Sequence, residues 1–92
     1  MPKVLILGQY VIFFWMGENR EPVHVHVAVK RATADSTKFW LLSNGGCLLA
    51  NNDSNIPEKD LRKIAKYITL NHAYICEQWV EAFGENNLRF YE

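Results

Sequence analysis

Only two of the 92 residues are cysteine, three are proline and five are glycine, and neither sign of charge is in excess, with ten basic side chains against ten acidic. Cys47 and Cys76 form no CxxC pair. That excludes a thiolate zinc site and leaves free, reduced thiols as the expectation. A dedicated nucleic-acid binder carries a basic excess that neutralises phosphates, and the whole chain has none, so only a local patch could serve that purpose. There is no G-x-S-x-G, no phosphate loop and no cysteine next to a histidine, so no nucleophile arrangement is written into the chain. Ser36, Ser43 and Ser54 fall in expected turns, where hydroxyls bond backbone. No apolar run is long enough to span a bilayer, which takes about 20 residues. The stretch from Val4 to Met16 is broken by Gly8-Gln9-Tyr10 and has no small-residue cleavage site after it, so it reads as two strands. The expectation is a cytoplasmic protein with no membrane partner.

What is present suffices for a folded domain: 49% hydrophobic and 13% aromatic residues, far from the composition of disorder. The length gives one domain over residues 1–92. The aromatics exceed what one thin core needs, and the absence of net charge does little to keep copies apart, so homo-oligomers, a homodimer first, are expected.

The expected fold class is α+β: an antiparallel meander of four to five strands over about residues 3–50, then a long C-terminal helical segment packed on one face, about 56–83, and a tail, 84–92. Val4–Leu7 and Tyr10–Trp15 flank Gly8-Gln9, a two-residue hairpin turn with glycine first. In the second run Tyr10, Ile12 and Phe14 share one face and Val11, Phe13 and Trp15 the other, so the strand is covered on both sides. From Val23 to Lys30 the period-2 alternation puts the valines on one face and His24, His26, Ala28 and Lys30 on the other. Thr37 to Leu42 is a fourth strand, and Asn44-Gly45 turns the chain into a short fifth, Cys47 to Ala50. Leu61, Ile64, Ala65, Ile68, His72, Ile75, Cys76, Trp79 and Phe83 form a helical stripe, with Pro57 in the first turn and Gly84 as the stop. Residues 57–83 as one helix would run about 40 Å and overhang a domain this small. A bend near Thr69 to His72, or packing on another subunit, resolves that.

One feature carries chemistry. His-x-His on a strand sets two imidazoles on one face, roughly 6–7 Å apart at the backbone, fit to share a metal or grip one phosphate. A third ligand or proton partner must come from elsewhere, and Glu18 and Glu21 in the preceding connector are nearest. The expected site is a partly open pocket with these carboxylates and Trp40 at its rim, and Phe13 and Trp15 on the same face. The plain alternative is that both histidines are half-buried strand residues bonded to their neighbours. His72, on the valine side, reads as a core histidine, and Lys59, Arg62, Lys63 and Lys66 as a solvated helix face.

Met-Pro-x-Val-Leu at the N-terminus, the Phe-rich strand, Glu18, Pro22-Val23-His24-Val25-His26-Val27, Lys38-Phe39-Trp40-Leu41, Leu61-Arg62-x-Ile64 and Trp79 together resemble a bacterial family of domains of unknown function with a Pro-Pro-His-Val-His-Val core motif. Some of its members are described as DhiT-like toxins of toxin–antitoxin pairs. Val23 stands where the motif has its second proline, and the stretch from Gly45 to Asn55 is unlike the family. The resemblance implies Glu18, His24, His26 and Trp40 as marked positions and brings no reaction with it.

Three functions compete. The first is a toxin-like module held by a small cognate antitoxin. The second is a ribonuclease-type or metal-dependent hydrolase, with His24, His26 and Glu18 catalytic, Trp40, Arg20 and Lys38 binding, RNA as the candidate substrate and a divalent metal on the histidine pair as the candidate cofactor. The third is a structural homo-oligomer without catalysis.

Overall fold

A computed structural model describes residues 3–15, 17, 20–33 and 35–92. Among them five strands are followed by two helices: β1 (Lys3–Leu7), β2 (Tyr10–Phe13), β3 (His24–Val29), β4 (Thr37–Leu41), β5 (Cys47–Asn52), α1 (Glu58–Leu70) and α2 (His72–Phe83). The strands form one antiparallel sheet in sequence order, as the expected α+β meander requires. Gly8 makes the first turn at φ 58°, where a Cβ would clash with its own backbone.

The register fixes the faces. Val27 pairs with Ile12 and Thr37, and Val25 with Phe39, so Val23, Val25, Val27, Ile12, Phe14, Phe39 and Leu41 share one side. That side is buried under Ile64 and Ile68 of α1 and Ile75 and Trp79 of α2. β2 is shorter than expected, because Phe14 and Trp15 leave the ladder, and β5 runs two residues further, into what reads as a polar turn. Asn51 and Asn52 stay in the ladder because the Asn52 side-chain oxygen accepts hydrogen bonds from the Thr37 hydroxyl and the Ile56 N–H.

The helical segment bends. Asn71 takes φ −109° and ψ 18°, and its N–H and its side-chain amide both donate to the Tyr67 carbonyl, so one residue closes α1 and opens α2. Two helices of 13 and 12 residues fit inside a longest dimension of 34 Å, which the single rod would exceed. No helix among the described residues is long and apolar enough to cross a membrane.

Tyr10 ties the sheet to α1 by donating its hydroxyl to Asp60. The bond to that carboxylate, and then burial, hold the phenol above its usual range. A raised folded-state value means the contribution is fully present below about pH 10 and is lost as pH rises through the folded value. Tyr10→Phe is therefore expected to cost about 1 kcal/mol at pH 8 and progressively less at pH 11, read as the difference in urea midpoints between the two proteins. An equal difference at both pH values would show that the bond contributes nothing.

The tail docks. Val23 N–H donates to the Arg89 carbonyl at 2.7 Å, Ser43 N–H to the Glu92 carbonyl at 2.8 Å, and the Trp79 indole to the Asn87 carbonyl at 2.9 Å. Residues 87–92 thus lie across the ends of β3 and β4.

Candidate functional site at the histidine pair

The alternation of β3 sends His24 and His26 to the face opposite the valines, together with Val11, Phe13 and Ala28. Their rings sit 5.1 Å apart, edge to face. The expected open pocket is not what forms: His24 is 1% exposed and His26 8%. The cover comes from several elements. His24 pairs with Trp40, whose ring lies 5.5 Å away, and Trp79 reaches it from α2 at 5.4 Å. Phe13 stacks on His26 at 5.5 Å, and Trp15 and Ala32, from the segments after β2 and β3, pack on the same cluster. Side chains from β4, α2 and the segments after β2 and β3 therefore cover the two histidines.

Each ring has a defined polar contact. His24 Nδ1 donates to the Pro22 carbonyl at 2.9 Å, which leaves Nε2 as the acceptor when the ring is neutral. Nδ1 of His26 is 3.0 Å from the Ser36 hydroxyl, itself only 3% exposed. Lys38 Nζ pairs with Glu21 Oε1 and lies 4.1 Å from the centre of the Trp40 ring. No buried side-chain nitrogen or oxygen among the described residues lacks a partner. The loop to Ser36 starts at a γ-turn, where Arg31 N–H donates to the Val29 carbonyl at 2.8 Å and Lys30 takes φ 70°. A non-glycine residue held there stores about 1–3 kcal/mol of strain, which the packed loop must offset.

Of the expected site residues, the structure brings together His24, His26, Trp40, Lys38 and Glu21. Arg20 is exposed, and its carbonyl accepts from the Arg89 guanidinium. Glu18 lies outside the described residues. His72 stays on the helix side, donating Nε2 to the Leu42 carbonyl at 2.7 Å. Both thiols are free, and burial pushes each up from its usual range, which lowers their thiolate fraction near neutrality.

Three neighbours are absent from the expected site: Ser36, Trp79 and Tyr91. Ser36 was within reach of the pattern, since one step back from Thr37 it keeps the parity of Lys38 and Trp40 and so the histidine face. Trp79 and Tyr91 gave no such signal, because their approach depends on how α2 and the tail wrap the sheet.

A divalent metal at the pair would need a ring nitrogen from each of His24 and His26 and a third donor. Among the described residues no group of three histidine, cysteine or acidic side chains could hold one. The arrangement is otherwise suited to proton transfer: two imidazoles in ring contact, one touching a hydroxyl, with the Lys38 ammonium on the next strand paired to the Glu21 carboxylate just before β3.

No curated protein and no solved structure matches the chain. Residues 9–80 match the family model described as a domain of unknown function, DUF4160. The matched span holds β2 to β5, both histidines and Trp79, and it covers most of the chain, which therefore belongs to the DUF4160 family.

Proposed function

We propose that the protein is a toxin-like module of a toxin–antitoxin pair and that its activity resides in the His24–His26 centre. One observation carries this reading: two buried histidines and the buried Ser36 are gathered on one face of a small sheet, with the Lys38–Glu21 ion pair beside them, while the other face is mostly apolar. A thin core gains more from apolar residues at such positions, so the cluster argues for use rather than for stability. The resemblance of Pro22 to Val27 to the DhiT-like toxin motif supports the same reading. The cognate partner is a small antitoxin, and the edge strands β1 and β5 offer it exposed apolar side chains, Ile6, Leu48 and Leu49.

The contact between Ser36 and His26 favours a hydrolytic form of this activity, with the histidines exchanging protons and Lys38 stabilising developing negative charge on RNA. Metal-assisted hydrolysis on the same pair is the alternative chemistry, and dependence of the activity on added zinc or manganese separates the two.

Induced expression in a bacterial host tests the function. Wild type is expected to arrest growth, and His24→Ala/His26→Ala, checked for folding by circular dichroism, to permit it. Unimpeded growth with the wild type, or arrest by a folded double variant, would remove the reading.

A further inference from the structure

We infer that the Trp40 ring is a stacking platform for a nucleobase, and that Tyr91 from the tail occupies it in the closed protein. The inference deepens the RNA-directed form of the proposed function by naming what Trp40 binds and what regulates access.

Tyr91 lies on Trp40 with ring centres 5.1 Å apart and planes within 4° of parallel. This is the geometry of a stacked base, and it differs from the other contacts of Trp40, which meets His24 at 75°. Tyr91 does not hide the ring by being buried itself, since it remains 51% exposed. A tyrosine half in water, held flat on a tryptophan, fills a planar slot that opens to solvent. Bases use such slots in single-stranded nucleic acid because every base offers a π-face.

The charges around the slot fit the rest of a nucleotide. Lys38 Nζ sits 4.1 Å from the centre of the Trp40 ring, adding a cation–π contact to an electron-rich platform. Arg89, exposed and two residues before Tyr91, donates its guanidinium to the Arg20 carbonyl, and it is the tail's cation for a phosphate flanking the stacked base. The overall neutrality of the chain is no obstacle, because one base and its neighbouring phosphates need only this local patch.

The tail that delivers Tyr91 is held between Leu88 and Glu92 by the Val23 and Ser43 bonds to tail carbonyls, the Leu88 N–H bond to the Glu85 carbonyl, the Arg89 contact, Phe90 stacked on His72 at 5.9 Å, and the packing of Leu88 and Phe90 against the core. Tyr91 lies beyond the core-packed Phe90 and is 51% exposed, so the end of the tail opens at lower cost than global unfolding. With Tyr91 lifted away, the exposed ring of Trp40 stands beside His24, so a stacked base places its sugar-phosphate next to the histidine centre.

The test is fluorescence anisotropy of labelled eight-nucleotide oligoadenylate, as RNA and as DNA, with AMP as competitor. It is run on wild type, Tyr91→Ala and Trp40→Leu/Tyr91→Ala, each confirmed folded by circular dichroism. Tyr91→Ala is expected to bind RNA about tenfold or more tighter than wild type, because the base no longer competes with an intramolecular ring. The double variant is expected to lose that gain, and affinity should fall as salt rises. Equal gains for RNA and DNA, with AMP competing, identify the base as the recognised group; a gain for RNA alone adds the 2′-hydroxyl. No binding by the folded Tyr91→Ala protein, or equal affinity of wild type and Tyr91→Ala, overturns the proposal and leaves the stack as tail packing. Growth arrest is scored separately, so the platform can fail while the toxin-like reading stands.

Discussion

Val25→Asp is expected to give a protein with no cooperative unfolding transition at 25 °C. Val25 is fully buried at the centre of β3, paired with Phe39 and roofed by the helices. A carboxyl group there has only apolar neighbours, so it must either stay charged without solvation or bind a proton at neutral pH, and both cost several kcal/mol. A domain of this size has about 5 kcal/mol to lose. Val29→Asp, on the same strand and of the same parity but 39% exposed, is expected to cost less than about 1 kcal/mol. Urea titrations followed by circular dichroism check the pair. A cooperative transition for Val25→Asp close to that of wild type would mean that the valine face is not the core.

Trp79→Ala is expected to cost about 3–5 kcal/mol, the usual range for truncating a buried aromatic. Its ring meets Phe14 at 5.2 Å, Phe83 at 4.5 Å and His24 at 5.4 Å, so one side chain joins the core to the histidine centre. Its indole N–H also holds the turn that starts the tail. Trp79→Phe keeps most of the packing and gives up that bond, and about 1 kcal/mol is expected for the bond itself. A loss of under about 1.5 kcal/mol for the alanine variant would show that the site and the core are independent.

The sheet was legible because its signals are local. Alternation from Val23 to Lys30 sets the faces of β3, and Gly8-Gln9 and Asn44-Gly45 set the neighbouring turns. The helical stripe was legible for the same reason, and length left a bend near Thr69 to His72 or packing on another subunit, of which the structure shows the bend at Asn71. The direction of His24 and His26 was legible too, but not their burial. Alternation says which way a strand residue points and nothing about what arrives on top of it. Trp79 comes from 55 residues further along, and the loop carrying Ser36 folds back only after the γ-turn at Lys30. The tail was visible as Phe90-Tyr91, two aromatics in a polar end, yet its partners, His72 and Trp40, depend on where the end of α2 releases the chain.

The growth of cells expressing His26→Asn decides whether the histidine centre is the working part of a toxin-like module. Asparagine offers an amide near the position of Nδ1, so the contact with Ser36 and the fold are retained, while the imidazole that exchanges protons is gone. Removing such a group lowers activity by about 10²–10⁴-fold. A folded His26→Asn protein that lets cells grow where the wild type stops them is the result this account predicts. Equal arrest by the two proteins at equal abundance would contradict it.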